Sequence, residues 1–508
     1  MKKLLILCII FTVLVSIKTY SQQWLQNMPQ HKSVPEYTLN DYKQAFDSYW
    51  APFNVENAYY YENGVKKKAG GWKQFLRWHY YMESQIDPST GLLPTTSAEE
   101  QFNMFFESGQ APKSSNGNWI SMGPNLSDGG YAGIGRINCV AFHPSNNNIW
   151  WVGAPAGGLW LTQNNGSSWT CLTDQNEVMG VSDIVIPSDY ATSQTIYIGT
   201  GDRSAWDNRS HGVLKSTDGG STWNTTGLSF TPASYNMVNR LLLDPNNNNI
   251  IIAATTSGIY KTTNSGATWT LLASYNFIDM EYKPGNYNTL YGSTKNGEIY
   301  VSTNGGSTWT QAISVSGGYR TELAVSPAQT GYVYAVMAND ENGLYGVYRS
   351  TNSGASYSQV FSGSTKNLLG WDSSGDDTGG QGWYDLCIAV SPTNANTVLV
   401  GGVNTWRSTN GGTSWSIINH WWGDGVQAVH ADKHMLSYRS NGDLFECNDG
   451  GIYISTNNGT SWTDKTNGIV TSQMYKLGCS ATDQNVVITG LQDNGTKVLY
   501  YGTWYDVK

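Results

Sequence analysis

The sequence predicts an all-β protein, a β-propeller of four-stranded antiparallel blades preceded by a short α-helical segment. About eight blades are expected, in a ring that this chain either closes or leaves incomplete. Three observations support this fold class: an octapeptide repeated seven times, four strand-like runs in each repeat, and a composition rich in Gly and aromatic residues. The repeats are spaced 40 to 58 residues apart, and such a period is typical of an array of supersecondary units.

The repeated octapeptide reads Ser/Thr, any residue, Asp/Asn, any residue, Gly, any residue, Ser/Thr, aromatic. Its seven copies begin at Thr162, Ser216, Thr262, Ser302, Ser350, Ser408 and Ser455. This chemistry suits a tight hairpin, because the Asp/Asn side chain accepts backbone N–H groups, Gly supplies positive φ, and the aromatic ring packs under the returning strand. Each copy is therefore predicted to join two antiparallel strands.

The composition is that of a large extracellular β protein. The chain has 508 residues with 56 Gly, 21 Trp and 32 Tyr, but only 13% charged residues. Such a mixture fits many short twisted strands rather than a helical or disordered chain. The net charge is −9, and removing the three lysines of the predicted leader makes it −12. Because no basic stripe is present to displace counterions, the sequence argues against nucleic acid as a partner.

Residues 1–21 have the pattern of a secretory signal peptide: two lysines, an apolar run over residues 4–17, and small residues before Gln22. The apolar run is shorter than a membrane span, and no later stretch reaches that length. We expect a secreted or cell-surface protein that is monomeric and has no transmembrane segment. The odd number of widely spaced cysteines predicts buried thiols with at most one incidental disulfide, among Cys139, Cys171, Cys387, Cys447 and Cys479.

A helical segment and linker are predicted over residues 22–117, ahead of the propeller at 118–508. Apolar and aromatic residues recur at helical spacing from Tyr42 to Tyr49, with Asn40 as the expected N-cap, and again from Trp72 to Met82. An aromatic stripe of this kind could be a ligand platform, but such stripes are more often buried. We therefore expect it to pack against the propeller, with residues 110–118 as a Gly/Ser-rich linker.

The strands follow the same order in every repeat. In the sixth repeat an inner strand over residues 386–390 ends at Pro392, and a second strand covers 398–400. A variable loop, a third strand, the octapeptide turn and a fourth strand complete the blade. In such a blade the octapeptide turns lie on one face, and the second-to-third loops and the blade connections lie on the other. Since loops on a rigid scaffold usually carry function, the binding face is predicted opposite the octapeptide turns.

An eighth unit begins near Tyr475 and lacks the octapeptide. We predict that residues 119–122 pair with residues 497–501, so that both ends of the chain close an eight-bladed ring. Closure of this kind would remove two exposed sheet edges. The rival prediction is that residues 503–505 form the fourth strand of the last unit and that the ring needs further blades.

The octapeptide resembles the Asp-box, or BNR repeat, of sialidases, sortilin-type receptors and family 74 glycoside hydrolases, all of which are β-propellers. Four further runs resemble large secreted bacterial proteins with sortilin-type propellers, many of them exported by the type IX route. They are Gly-Ile-Gly-Arg at 133–136, Gln-Gly-Trp-Tyr-Asp at 381–385, His-Ala-Asp-Lys-His at 430–434 and Gln-Asp-Asn-Gly at 492–495. The resemblance implies that the octapeptide turns are scaffold. It also implies a longer parent protein, which would make this chain a fragment.

The loops of the predicted binding face combine aromatic rings with carboxylates and amides. Rings stack on the C–H faces of sugars while polar groups fix the hydroxyls, so a polysaccharide is the predicted partner, with an extracellular or cell-surface protein as the alternative. The main prediction is binding without catalysis, as in sortilin-type receptors. The predicted ligand-binding residues are Arg136, Arg203, Trp206, Trp383, Tyr384, Trp421, Trp422, Asp449, Gln492 and Asp493.

The alternative function is polysaccharide hydrolysis by an acid and base pair of aspartates, as the resemblance to family 74 enzymes implies. Asp202 with Asp377 or Asp385 is the predicted pair. Inverting hydrolysis needs two carboxyl groups several ångströms apart, which loops from opposite blades can supply. The competing interpretation is that these aspartates only form turns or face solvent.

The run from His430 through Asp432 to His434 is a candidate site for a divalent metal. Three alternate residues of a strand project to one side, and His with carboxylate binds such ions. Without a metal, Asp432 would orient either imidazole as a general base. A hydrogen-bonded structural cluster is the favoured interpretation, and no other cofactor is predicted.

Overall fold

The computed structural model describes residues 23–96, 100, 101, 104 and 120–507. The chain divides into two compact units, Met1–Ile120 and Ser121–Lys508. The predicted leader at 1–21, the predicted linker at 110–118 and Trp119 lie outside the described residues. Within the described part of the chain, no helix has the length and apolar character needed to cross a membrane.

Over residues 23–96 the first unit contains two α-helices and a hairpin, preceded by a 3-10 turn at Gln23–Asn27. The regular elements are α1 (Leu39–Trp50), a 3-10 turn at Ala51–Phe53, β1 (Tyr59–Glu62), β2 (Val65–Lys68) and α2 (Trp72–Met82). The N-cap of α1 is Thr38, so the prediction of Asn40 is wrong. Thr38 Oγ1 accepts the Asp41 N–H at 3.1 Å, and the Asp41 carboxylate accepts the Thr38 N–H at 2.8 Å. This reciprocal box satisfies two helix N–H donors, which Asn40 inside the first turn would leave open.

The aromatic residues of the first unit pack on one another within that unit. The rings of Phe46 and Phe75 stack with centroids 3.9 Å apart, and Trp24 meets Phe75 edge-on at 4.9 Å. Trp24, Phe46 and Phe75 are all buried. The aromatic stripe therefore forms the core of this small unit, so its burial is confirmed, whereas its packing against the propeller stays a prediction.

The second unit contains seven consecutive antiparallel sheets that each take four successive strands in order, together with an eighth sheet. Blades one to three are β3 (Cys139–Phe142), β4 (Trp150–Ala154), β5 (Gly158–Thr162) and β6 (Thr170–Cys171); β7 (Val181–Val185), α3 (Tyr190–Ser193), β8 (Ile196–Thr200), β9 (Val213–Ser216) and β10 (Asn224–Thr225); and β11 (Val238–Leu243), β12 (Ile251–Thr255), β13 (Gly258–Thr262) and β14 (Thr270–Ala273).

Blades four to seven continue the same pattern, and the sixth gains a short parallel strand at its outer edge. They are β15 (Asp279–Lys283), β16 (Asn286–Ser293), β17 (Glu298–Ser302) and β18 (Thr310–Ser314); β19 (Gly318–Val325), β20 (Val333–Asn339), β21 (Leu344–Ser350) and β22 (Ser358–Ser362); β23 (Cys387–Val390), β24 (Val398–Gly401), β25 (Thr405–Ser408), β26 (Ser416–His420) and β27 (Gln427–Ala428); and β28 (Lys433–Tyr438), β29 (Leu444–Asn448), β30 (Gly451–Ser455) and β31 (Thr463–Asp464).

The octapeptide turns join the third and fourth strands of all seven blades, as predicted. In the fourth copy the buried Ser302 hydroxyl accepts the Gly306 N–H at 3.0 Å, and the Asn304 side-chain oxygen accepts the Thr308 N–H at 2.9 Å. Gly306 has φ +89°, a conformation that residues with a side chain rarely adopt. The same two bonds recur in other copies: the hydroxyls of Thr162 and Ser455 each accept the N–H of the glycine four residues on, and Asn164 and Asn457 accept the N–H groups of Ser168 and Ser461. The repeated sequence therefore encodes one repeated hydrogen-bond pattern.

The ring closes between blade seven and blade one. The inner strands of successive blades are neighbours, and β28 of blade seven lies beside β3 of blade one. Backbone bonds seal the junction, since Ile134 N donates to Gly450 O at 2.9 Å and Ile137 N donates to Asn448 O at 3.0 Å. A side chain at Gly133 would place its Cβ only 2.2 Å from the Cα of Gly450. The glycine therefore permits the close backbone approach that closure needs.

Apolar side chains fill the spaces between blades. At the junction that closes the ring, Trp150 and Val152 of β4 share one buried cluster with Phe445 and Ile452 of blade seven. Each such side chain contributes about 1.5–3 kcal/mol when it is fully buried. Because the second strands of the blades are covered on both sides, they read as continuous apolar runs, and all five residues of β12 are buried.

The eighth sheet stands outside the closed ring and comprises β32 (Met474–Cys479), β33 (Val486–Leu491), β34 (Thr496–Tyr500) and β35 (Thr503–Val507). Its third strand, β34, is bonded to β33 on one side and to β35 on the other. The predicted pairing of residues 119–122 with residues 497–501 is therefore wrong for the described residues, because β35 already occupies that edge. The rival assignment of the fourth strand is the one observed, whereas the ring closes without this sheet.

The five cysteines of the described residues are free thiols. Cys139, Cys387 and Cys447 are buried, Cys171 is half-buried and Cys479 is exposed. The prediction of buried thiols is thus confirmed for the three that lie on inner or second strands of blades.

Candidate functional site

The predicted binding face gathers the blade connections and the second-to-third loops around a buried network of charges. Arg136, just before β3, donates to both carboxylate oxygens of Asp202 at 3.1 and 2.8 Å. Both side chains are buried. Burial opposes ionisation of Asp202, but the charge and hydrogen bonds of Arg136 prevail and hold the pKa of Asp202 below its ordinary value. Asp202 is therefore an ionised partner of Arg136 rather than an acid.

Asp449, which follows β29, lies at the centre of this network. It accepts a hydrogen bond from the Tyr384 hydroxyl at 2.7 Å and lies 2.7 Å from Nε2 of His434. Arg136 Nε is 3.8 Å from its carboxylate. Burial raises the pKa of Asp449 to about 7, with Arg136 lowering it and the nearby charge of Asp493 raising it. The carboxyl group is held in place by three side chains from three different blades.

A second buried cluster fixes the connection that leads into blade six. Arg203 donates to both oxygens of Glu322 at 2.6 and 2.7 Å, and Arg320 Nε donates to the same carboxylate at 2.9 Å. Arg320 also donates to the main-chain oxygens of Trp383 and Tyr384 at 3.1 and 2.7 Å. Arg203, predicted to bind ligand, is thus engaged in holding the loops of the binding face.

A cleft of about 480 Å³ opens between the ring and the eighth sheet. Its walls carry three carboxyl groups and several aromatic rings, and one of the carboxyl groups, Asp506, is paired with Lys497. The residues used below are Tyr131, Trp371, Gln381, Trp421, Asp432 and Asp493. The eighth sheet is held against the ring at this point, since Asn494 Nδ2 donates to Asp449 O at 3.0 Å and the His430 imidazole lies 3.2 Å from Asp493 O. The cleft therefore has one wall from blades six and seven and another from the turn between β33 and β34.

Asp432 lies on the ring wall of the cleft, directly before β28. Its backbone has φ +64° and Asp493 on the other wall has φ +59°, both in the left-handed region. Gln381 Nε2 donates to Asp432 Oδ1 at 2.9 Å. Burial, together with the charges of Asp449 and Asp493, raises the pKa of Asp432 to about 7. Non-glycine residues in such backbone conformations are concentrated at functional sites.

Asp385 is fully buried beside Asp432. Burial raises the pKa of Asp385 well above its usual range, and the neighbouring carboxyls of Asp432 and Asp449 raise it further. Burial and the neighbouring carboxyl groups therefore favour the protonated form of Asp385.

The run from His430 to His434 does not form the predicted metal site. The strand begins at Lys433, and the left-handed backbone of Asp432 breaks the alternation that would put the three side chains on one side. His430 lies against the Asp493 carbonyl and His434 against the Asp449 carboxylate. Among the described residues no group of three or more His, Cys, Asp or Glu could hold a metal ion.

The predicted catalytic aspartates are all on the expected face but none lines the cleft. Asp202 is in its ion pair, and Asp385 lies behind Asp432. Asp377 organises its own loop, because its Oδ2 accepts the Trp371 N–H at 2.6 Å. The catalytic role therefore stays a prediction for Asp202, Asp377 and Asp385. Their contacts support a role in positioning neighbouring groups better than direct contact with a ligand.

The predicted ligand-binding residues do not all meet at one place. Trp421 and Asp493 line the cleft, while Arg136, Tyr384 and Asp449 form the network behind it. Gln492 donates to Asp493 Oδ2 at 2.5 Å, and Trp383 and Trp422 are exposed beside the cleft without lining it. Trp206 lines a different pocket on the blade-two side. Sequence reasoning missed Tyr131, which carries no motif and lines the cleft from the segment that precedes β3.

No protein-family profile matches the chain. Short regions resemble curated enzymes: a xyloglucanase from Paenibacillus sp is 29% identical over 152 residues, which is 27% of this chain and 14% of that protein. A xyloglucanase from Hypocrea jecorina is 30% identical over 155 residues, which is 27% of this chain and 18% of the relative. The chain thus aligns with less than a fifth of the length of these relatives.

Solved structures resemble a larger part of the chain. A GH74 enzyme from Niastella koreensis has a TM-score of 0.55 at 19% identity, covering 75% of this chain and 61% of that one. A GH74 xyloglucanase from Xanthomonas campestris has a TM-score of 0.54 at 15% identity, covering 72% of this chain and 59% of that one. At these identities the likeness establishes the fold, and this chain has the β-propeller scaffold found in GH74 enzymes.

Proposed function

We propose that this protein is a glycoside hydrolase that cleaves a neutral polysaccharide of the xyloglucan type in the cleft between the ring and the eighth sheet. One observation carries the proposal: two carboxyl groups, Asp432 and Asp493, line the same aromatic cleft from its two walls. The local matches to xyloglucanases support hydrolysis over the binding function expected from the sequence.

The two carboxyl groups suit an acid and base pair. Asp432, with a pKa raised to about 7, is protonated in a substantial fraction of molecules at neutral pH, and this form can donate its proton to the oxygen of the scissile bond. As that C–O bond breaks, the Asp493 carboxylate removes a proton from a water molecule, whose oxygen forms the new bond to the sugar carbon. The leaving sugar gains the proton of Asp432, so atoms and charges balance. Gln381 orients the acid through its hydrogen bond to Oδ1.

The aromatic rings of the cleft supply the binding surface. The side chains of Trp371 and Trp421 are 40% and 37% exposed, and Tyr131 faces the same space. Flat rings next to carboxyls are the arrangement that sugars require, because pyranose C–H faces pack on rings while hydroxyls pair with polar groups. A polysaccharide is therefore the substrate class that the cleft favours.

The test is release of reducing ends from xyloglucan by the purified chain. Asp432→Asn and Asp493→Asn should each lower the rate by at least about 100-fold, since each removes a proton-transfer group. Asp340→Asn is the matched control, because Asp340 is an exposed loop aspartate outside the cleft. Retention of xyloglucan without release of reducing ends, by wild type and variants alike, would establish a binding protein and contradict hydrolysis.

A further inference from the structure

A second pocket lies on the binding face, on the side of blades two and three. It has a volume of about 330 Å³ and is lined by Trp206, Asn208, Arg209, Tyr235, Asn236 and Asn276, together with Met237 and Thr256. It shares no lining residue with the cleft. The loop between β8 and β9 supplies one wall, and the connections into blades three and four supply the others.

Two aromatic side chains are displayed at this pocket. Trp206 is 56% exposed and Tyr235 is 66% exposed, although large rings in this protein are mostly buried. Both residues have left-handed backbones, with φ of +62° and +57°. A bulky residue rarely adopts that conformation, so the surrounding loops hold the two rings in place against an unfavourable backbone geometry.

Each ring is also contacted by a basic side chain. Burial, with the nearby charges of Arg320 and Arg203, lowers the pKa of Lys295 to about 7, so its contact is cationic in the protonated fraction. The Arg209 guanidinium lies 3.6 Å from the centre of the Tyr235 ring, and Lys295 Nζ lies 4.5 Å from the Trp206 ring. Lys295 reaches this position from the turn between β16 and β17, and its ammonium group also approaches the Arg203 carbonyl at 3.5 Å. Such cation–π contacts restrict ring motion, which lowers the entropic cost of stacking a ligand on the exposed side.

The chemistry of the pocket selects a neutral ligand rich in hydroxyls. Among the described residues that line it there is no carboxylate, and the Arg209 guanidinium already packs on Tyr235. Three amide side chains offer both donors and acceptors; the Asn276 oxygen accepts from Asn239 at 3.2 Å, which leaves its NH₂ group as a donor. Rings with amides match the two kinds of surface that a sugar presents.

We propose that this pocket is a second saccharide-binding site, which holds a neutral stretch of polysaccharide by stacking on Trp206 and Tyr235. The site is separate from the carboxyl groups of the cleft, so it does not depend on hydrolysis. It would keep the protein on a long chain while the cleft engages another segment, and it predicts stronger binding to long than to short glycans.

The test is affinity electrophoresis in gels containing xyloglucan, with Asp432→Asn as the background to prevent degradation. Trp206→Ala and Tyr235→Ala should each weaken retention by about 3- to 10-fold, as loss of one stacked ring implies. Trp206→Phe should keep most of the retention, and Tyr319→Ala, an exposed tyrosine outside the pocket, should change nothing. Melting temperatures establish that each variant is folded.

Unchanged retention in a folded Trp206→Ala, Tyr235→Ala double variant would overturn the proposal. Equal, Trp206-dependent retention in gels containing polygalacturonate would also overturn it, because the site would then select anionic chains. Failure of the proposed hydrolysis would appear separately, as absent reducing ends in the wild type with retention still sensitive to Trp206.

Discussion

Aspartate side chains on the two faces of the propeller have pKa values shifted in opposite directions. In an octapeptide turn, Asp218 accepts the Thr222 N–H at 2.9 Å, the Thr222 hydroxyl at 2.6 Å and the Ser216 hydroxyl at 2.7 Å. These hydrogen bonds, of which those from Thr222 have the largest effect, lower the pKa of Asp218 to about 2. Across the ring, Asp432 is buried beside Asp449, and burial with neighbouring negative charge raises its pKa to about 7.

The difference shows how one scaffold separates stability from reactivity. A carboxylate surrounded by donors is satisfied as an anion and gains nothing from a proton. A carboxyl group that is buried beside other carboxyl groups is still partly protonated near neutral pH, where it can act as an acid. The same hydrogen-bond pattern therefore recurs in all seven octapeptide turns, whereas the opposite face depends on contacts that occur once.

The largest effect is expected from breaking the buried network of the binding face. Arg136→Ala should destabilise the protein by about 3–5 kcal/mol, because Asp202 would remain as an unpaired buried charge. Chemical denaturation measures the loss. Arg349→Ala is the control, since that half-buried guanidinium donates to a single carbonyl, Gly411 O at 3.3 Å.

Adding Asp202→Ala to Arg136→Ala should recover part of the stability, because the uncompensated charge is then removed. An Arg136→Ala protein no less stable than Arg349→Ala would show that the network does not support the fold, and the comparison of the two faces would fail.

A smaller effect is expected from pH. The pKa of Asp432 is about 7 in the folded chain against an ordinary 3.8, so between these values the folded state binds more protons than the unfolded state. The stability contributed by this group is present below pH ~4 and is lost as pH rises through about 7, with a slope of up to about 1.4 kcal/mol per pH unit.

Calorimetry from pH 5 to pH 8 measures this slope. Asp432→Asn should flatten the decline, whereas Asp218→Asn should leave it unchanged, because the pKa of Asp218 lies below that window. Identical slopes in wild type and Asp432→Asn would mean that Asp432 is not protonated in the folded state, which would also remove the basis for its role as the acid.

The smallest effect is expected in a single octapeptide turn. Asn304→Ala removes the bond from Thr308 N and the bond to the Thr308 hydroxyl, which together should cost about 1 kcal/mol. Polysaccharide hydrolysis and retention should stay at wild-type levels while the protein is folded. A loss of either activity without a fall in melting temperature would place function on the turn face.

The features that the sequence predicted well are those encoded locally. The octapeptide turns and helix α2 depend on residues within a few positions of one another, so spacing alone identifies them. The predicted N-cap of α1 was wrong by two residues, because Thr38 and Asp41 form a reciprocal capping box two residues before the position predicted from Asn40. The sequence did contain the correct local signal, since Thr38 is followed three residues later by Asp41, but Asn40 was preferred to it.

The features that the sequence predicted poorly depend on distant contacts. Asp432 and Asp493 meet at one cleft only because the eighth sheet folds onto the ring. The sequence around Asp432 does not predict that Asp493 lies nearby. It also does not predict the left-handed backbone of Asp432, which breaks the alternation of the His430 to His434 run. The protonation of a buried carboxyl likewise depends on its surroundings rather than on its motif.

Closure of the ring between complete blades has a consequence for how the chain folds. Each blade consists of strands that are consecutive in sequence, so its internal pairing closes only short loops. The contact of Ile137 with Asn448 joins the two ends of the array and must restrict the whole intervening chain. We expect blades to form early and this junction to form last. A circular permutant whose chain begins between two other neighbouring blades should therefore fold to the same ring. The last step of its folding should then be formation of the junction between those two blades.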